Sequence, residues 1–397
     1  MRLPTFSHRR LLWTLLILAF ILRAGFGLSR QDLGTSTDER HWDGQARSFW
    51  LSGLLHPDGK PYRPPLYPLL LAGVYKIHGH TPTAARLWQA LLGTATCLLL
   101  YASGRHLGCP AVGLVAAALA ALYPLFIFFS GILMSETLLI FLTTAVLWAA
   151  LRWAAAPTTT GAIGLGLLLG LAALCKAVIL AWLPLLLWVM ARHPRLPFRS
   201  GLAHATLSTL AAIVLIAPWT WRNAVIENRF IPISSNAGIN LFIGHEPNAT
   251  GVYREGTDYR LLFAEFTSAA PHPVDKDRLG VRLVLQGCLA DPGRCLGLAL
   301  RKTLHFWNPL APGESVLRQT VALLSCGPVL LLGLWGLSRL WHQDAFWLIA
   351  SLGIALTAVH ALFFAHIRFR LPLDAALMLP AALVLVESWR ARPGAGP

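Results

Sequence analysis

Ten apolar stretches of near-spanning length run along the chain, at 11–29, 83–104, 111–129, 133–151, 161–175, 177–191, 203–220, 320–338, 345–364 and 371–388. Their apolar residues come in runs, without a 3.6- or 2.0-residue rhythm. This predicts helices that are apolar on every side and sit in lipid. The two stretches flanking Lys176 are short and predict tilted helices or a tight hairpin. The first run follows Arg9 and Arg10 as a signal peptide would, but it is long enough to span and no small-residue cleavage pattern follows it. It reads as a retained first helix. Pro64 to Ile77, at ~14 residues, is too short to span and reads as an interfacial or re-entrant helix opened by Pro64-Pro65.

Two segments break the apolar pattern: a polar first loop, 30–82, and a large insert, 221–319. They divide the chain into a membrane module (1–220) that includes the first loop, an extramembrane loop domain (221–319) and C-terminal membrane helices (320–397). Ten crossings put both polar segments on one face. The turns before Glu136, at Lys176 and at His366, Arg368 and Arg370 share that face. Loops on a common face can build one site, and the opposite face has only short basic loops. Arg9, Arg10, Arg105, Arg152, Arg192, Arg195, Arg199, Arg339 and Arg390 fall on that opposite side, so it reads as cytoplasmic. The expected location is a plasma (inner) membrane, with both termini cytoplasmic and the polar loops outside.

Composition agrees. Charged residues make up 13% of the chain, about half the ~25% of a soluble domain, and the mean hydropathy is +0.57. The net charge of +15 would raise nucleic acid for a soluble protein. Here the basic residues sit at helix ends and in loops, with no basic stripe of interleaved aromatics, so no nucleic-acid partner is expected and membrane lipids are. Cys97, Cys175 and Cys326 lie in apolar runs as small hydrophobes. Cys288 and Cys295 flank the turn Asp291-Pro292-Gly293, where a disulfide forms only if that face is oxidising and the Cβ atoms meet. There is no P-loop, no Gly-x-Gly-x-x-Gly after a strand and no His-Glu-x-x-His, which excludes a nucleotide-driven pump within the chain. The sequon Asn248-Ala249-Thr250 reads as loop chemistry.

Candidate chemistry lies in the outer segments. Asp38-Glu39-Arg40-His41 follows the first helix closely; a carboxylate there can take a proton from a hydroxyl, or simply form a solvated ion pair. Arg63, ahead of Pro64-Pro65, is placed to hold a lipid phosphate bidentately or to snorkel. Glu136, at a helix mouth, marks either a site or a helix-dipole contact. Lys176 reads as a turn cation, and Arg368-Phe369-Arg370 as a phosphate site or an anchor.

Several motifs together resemble the GT-C glycosyltransferases, specifically the protein mannosyltransferase-like family 39 with the related aminoarabinose transferase and Rgt-type bacterial enzymes. They are Thr37-Asp38-Glu39, Tyr62-Arg63-Pro64-Pro65-Leu66-Tyr67-Pro68 and Leu133-Met134-Ser135-Glu136-Thr137. Pro218-Trp219, Arg222-Asn223 and Phe230 to Ser234 lead on to Asn240 to Gly244 and Asn248 to Gly251. Lys302 to Pro309 and Arg368 to Pro372 also match. The resemblance implies an all-α integral membrane GT-C fold of about ten transmembrane helices, with interfacial helices in the first outer loop and one larger outer-face insert. It implies inverting transfer of a sugar from a polyprenyl-phosphate donor to a hydroxyl acceptor at the outer face. Asp38 would be the base, with Glu39 and Glu136 as catalytic partners. Arg63, Arg368 and Arg370 would hold the donor phosphate, and His41, Asn240 and His245 would contact substrate. The soluble repeats of eukaryotic protein mannosyltransferases are missing, so a lipid or glycan acceptor is expected. There is no Asp-x-Asp, so no obligate metal or other cofactor is expected.

A transporter or flippase of lipid-linked sugars is the second reading. It calls for ionisable or broken positions near the midplane of several helices, often in two related halves. No internal repeat is visible, and Arg23 is the one strongly charged residue well inside an apolar run. A scaffold without chemistry is the third, and it makes Asp38 replaceable.

Overall fold

A computed structural model of the chain describes residues 8–30, 33, 37–53, 61–252, 266, 268–270, 272–310 and 315–391. Parts of the 221–319 insert, including 253–265, lie outside the described residues.

All ten apolar stretches are helical. In chain order they are α1 (His8–Leu28), α4 (Pro82–Leu107), the pair α5 (Pro110–Leu122) and α6 (Pro124–Ser130), α7 (Glu136–Ala155) and α8 (Thr159–Cys175). A 3-10 turn (Ala177–Trp182) running into α9 (Leu183–Ala191) follows, then α10 (Phe198–Glu227), α14 (Val316–Arg339), α15 (Asp344–Leu362) and α16 (Ile367–Arg390). The polar segments add α2 (Thr37–Ser52), α3 (Leu66–His78), α11 (Ala237–Ile243), α12 (Pro273–Ala290) and α13 (Pro292–Trp307). Proline opens α4, α5, α6, α12 and α13, where its missing N–H costs no helix bond and its φ is preset. Among the described residues there is no sheet, only a single parallel bridge between Val252 and Ala365.

Seven of these helices are long and apolar enough to cross a membrane, and eight if the α5–α6 pair, bent by 57°, counts as one. The expected ten is therefore not reached by length alone. α8 and the 3-10 turn plus α9 each rise only about 25 Å, short of a ~30 Å hydrocarbon core. Contacts nevertheless gather helix ends at two levels. At one end Lys176 meets Glu136 and Arg368 meets Asp38. At the other Arg195 donates to Ala155 O, Arg339 pairs with Glu387, and Arg390 reaches Cys109 Sγ.

α16 is the central helix, with 83% of its spanning window buried. Two close approaches pack the bundle. A Cβ on Gly336 of α14 would lie 2.1 Å from Pro380 O of α16, and one on Gly166 of α8 would lie 2.0 Å from Ser208 O of α10. Only glycine lets these backbones touch, as small residues do between membrane helices. Arg23, fully buried in α1, donates to Ala120 O at 2.8 Å and Ala121 O at 3.2 Å. Pro124 has no N–H to offer Ala120 O at the α5–α6 bend, so Arg23 serves there as a helix-end cap.

Candidate active site

α2 begins with Asp38 and Glu39 in its first turn, where the helix dipole favours negative charge. One side of it is buried against its neighbours. Glu39 Oε1 accepts from Leu133 N at 2.9 Å, and Asp43 accepts from Tyr75 Oη at 2.5 Å and from His80. Trp42 packs edge-on against Tyr67, whose hydroxyl donates to Gln89 at 2.6 Å. Glu39 and Asp43 thus clamp α2 to α3 and to the Leu133 segment. Asp38 and His41, three residues apart, lie off that clamped side.

Asp38 joins a row of alternating charges. Arg63 Nη2 donates to its Oδ1 at 2.9 Å, and Arg368 Nη1 to its Oδ2 at 3.2 Å. Arg368 Nε then lies 3.8 Å from Glu136 Oε1, which accepts from Lys176 Nζ at 3.2 Å. Arg63, Arg368 and Lys176 against Asp38 and Glu136 leave one positive charge in surplus. The cations rest on rings, Arg63 over Trp42 at 4.7 Å, and Arg368 and Lys176 over Phe369 at 5.0 and 4.7 Å, contacts that stiffen a cation while leaving donors free. Burial alone would raise the Asp38 carboxyl, but Arg63 and Arg368 outweigh it and hold the group down at about 2. Asp38, Arg63, Arg368 and Lys176 keep partial exposure, whereas Glu136 is buried and its Oε2 has no hydrogen-bond partner among the described residues.

The structure thus brings together Asp38, Arg63, Arg368 and Glu136, with His41 Nδ1 at 3.5 Å from Arg63. Glu39 is engaged with Leu133 instead. Arg370 is placed elsewhere. The helix already runs from Ile367, and two residues along a helix turn a side chain almost to the opposite side. Its buried guanidinium pairs with Asp374 at 2.9 Å and donates to Phe306 O and Asn308 O. Asn240 sits on α11, which packs Ile239 and Ile243 against Phe364 and Phe369, and among the described residues no hydrogen bond joins its side chain to the charged row. His245 is held by other partners, with Nδ1 at 2.9 Å from Leu241 O and Lys302 Nζ 3.3 Å away. Burial, with Lys302 and Arg294 nearby, lowers the His245 pKa. Lys176 and the Phe369 ring are the participants whose role the sequence left unread. Lys176's position between two apolar arms was the available signal.

The profile of the dolichyl-phosphate-mannose-protein mannosyltransferase family matches residues 62–221, a stretch holding Arg63, Glu136 and Lys176. No curated protein matches the chain. Among solved structures, the chain is similar to the Archaeoglobus fulgidus oligosaccharyltransferase AglB in complex with an inhibitory peptide and a dolichol-phosphate. The TM-score is 0.55 at 15% identity over 98% of this chain and 52% of that one. The apo form of the Archaeoglobus fulgidus enzyme gives 0.58 at 14% identity, over 97% and 51%. The chain has the GT-C fold. It spans about half the length of those oligosaccharyltransferases. ArnT from Cupriavidus metallidurans bound to undecaprenyl phosphate superposes more loosely, with a TM-score of 0.46 at 17% identity over 95% and 78%.

In this GT-C fold the charged row suits an anion better than a metal cation, because each carboxylate already faces two cationic groups. A different group, His245, Cys288 and Cys295, brings ligand atoms within 4.8 Å of one another. The two cysteines are joined as a disulfide, however, with Cα atoms 5.5 Å apart. In that form only His245 can ligate.

Proposed function

We propose that the chain is a membrane glycosyltransferase that moves a sugar from a polyprenyl-phosphate donor to a hydroxyl of a lipid or glycan acceptor, with inversion, at the extracytoplasmic face. The observation that carries this reading is the Asp38 carboxylate held between Arg63 and Arg368, in a row with one positive charge in surplus. A phosphodiester donor has one negative charge, so it balances that surplus. The dolichol-phosphate bound by the similar oligosaccharyltransferase is a polyprenyl phosphate monoester, the class of lipid that such a transfer releases.

The chemistry follows from the same contacts. Asp38, held down at about 2, is a poor base while both arginines are on it. A donor phosphate drawn to Arg63 and Arg368 would take over their N–H groups, and the freed carboxylate becomes more basic as its neighbours' charge is neutralised. Asp38 then removes the acceptor proton. The acceptor oxygen bonds to the anomeric carbon from the side opposite the phosphate, and the C–O bond to phosphate breaks with its electrons going to the phosphate oxygen. The leaving monoester is more anionic than the donor, so the arginines and Lys176 bind it more strongly as charge develops. Glu136, with Oε2 unengaged, orients the acceptor hydroxyl. The 221–319 insert would select the acceptor, and no obligate metal is required by this scheme.

The test is sugar transfer in proteoliposomes, from a panel of labelled polyprenyl-phosphate sugars to a membrane extract. Labelled product from one donor supports the reading. Movement of the same lipids between leaflets without transfer would replace it with a flippase.

A further inference from the structure

The helix α13 has two opposite sides of different character, and the bundle accounts for only one. Leu298, Lys302 and Phe306, at four-residue spacing, are buried toward the bundle. Lys302 Nζ donates to Leu362 O at 2.9 Å, Phe306 stacks on His360 at 5.5 Å, and Arg370 donates to Phe306 O at 2.8 Å. These contacts pin α13 at the level where α15 ends and α16 begins. On the far side Leu296, Leu300 and Leu304 form a second stripe with the same spacing, and they are 64%, 58% and 72% exposed. Arg301 is exposed between the two stripes. Nothing among the described residues covers the leucines.

The stripe continues into a surface already read as facing lipid. After Leu310 the chain returns at Val316 and Leu317, exposed by 81% and 74%, and these open α14, whose Leu324 and Leu331 are exposed along its span. A water-facing helix would not carry large leucines at three successive turns beside the mouth of a membrane span. An amphipathic helix lying at the lipid boundary does, with cations on its polar flank.

We propose that α13 is a membrane-surface helix, seated tangentially at the rim of the bundle. Leu296, Leu300 and Leu304 enter the acyl region, and Arg301 meets anionic phospholipid headgroups. The partner is the bilayer that holds the spans. This rests on the membrane reading of the fold and is independent of the proposed sugar transfer.

The test uses the full chain in nanodiscs containing anionic phospholipid, in a Cys109→Ser background. Leu300→Cys and Arg301→Cys are labelled separately with an environment-sensitive fluorophore, and Leu296→Cys serves as a second apolar position. At 300 and 296 the emission should be blue-shifted and quenched several-fold more by lipids with a nitroxide high on the acyl chain than at 301. Equal emission and quenching at all three positions would overturn the proposal. So would a label at 300 that is shielded yet unquenched by those lipids, with crosslinking between chains at Leu300→Cys. That result would give the face to a second copy.

Discussion

Asp38→Asn separates binding from chemistry at the charged row. The substitution keeps the side chain's shape and an oxygen for Arg63 or Arg368 to reach, but removes the charge that occupies both. Holding Asp38 at about 2 against an ordinary 3.8 favours the ionised form by about 2.4 kcal/mol, at 1.36 kcal/mol per pH unit. Asp38 is 29% exposed, so solvent screening reduces what a competing anion recovers to roughly 1 kcal/mol, or about fivefold in affinity. Loss of a general base should cost turnover a factor of ~10² or more. The expected signature is a large fall in kcat while polyprenyl phosphate, used as the binding probe, binds the variant a few-fold more tightly. Transfer in proteoliposomes gives the first quantity, and titration of the purified protein gives the second. Unchanged turnover would refute a base role for Asp38. Weaker phosphate binding in a folded variant would refute the competition between carboxylate and phosphate.

Three further outcomes follow from neighbouring contacts. Glu39→Gln keeps an acceptor for Leu133 N and should transfer sugar close to wild type, whereas Glu39→Ala strands that buried N–H at a cost of ~1–3 kcal/mol; a Glu39→Gln variant as inactive as Asp38→Asn would make Glu39 catalytic. Arg370→Met leaves Asp374 buried with Tyr123 as its one hydrogen-bond partner among the described residues and should lower stability by about 3–5 kcal/mol. Turnover per folded molecule should persist, and a selective loss of phosphate affinity would contradict this. Burial, with Arg294 nearby, pulls Lys302 down from 10.5 to about 7. Between those values the unfolded chain holds a proton that the folded chain does not, so stability rises with pH across that window and is flat below it. The thermal midpoint in detergent should therefore climb from pH 7 toward 9, and Lys302→Met should flatten the climb.

The ten helical stretches were legible because a lipid solvent forces long apolar runs, and the runs survive as helices within four residues of their expected ends except for 203–220, which extends to Phe198–Glu227. The bend at Tyr123-Pro124 was not, since a proline inside an apolar run marks a kink or a new first turn equally well. Asp38, Arg63, Glu136 and Arg368 could be read as one group once their loops shared a face. Separating Arg368 from Arg370 required knowing that the helix starts at Ile367, because in a loop both could face one ligand. Glu39 beside Asp38 posed the same problem, solved by Leu133 N, a partner 94 residues away. Cys288 and Cys295 flanked a visible turn, but whether their Cβ atoms met depended on the angle between α12 and α13.

The most enclosed helix, α16, is also the one that leaves the ribosome after the others described here. Until it inserts, α14 lacks the helix it packs against most closely, the one Gly336 meets at Pro380. Asp38, made 330 residues before Arg368, waits with one arginine instead of two. The charged row is therefore completed only once Arg368 has been made. A chain that stalls before residue 367 would expose unfilled membrane surface, and quality-control proteases could recognise it before any activity was possible.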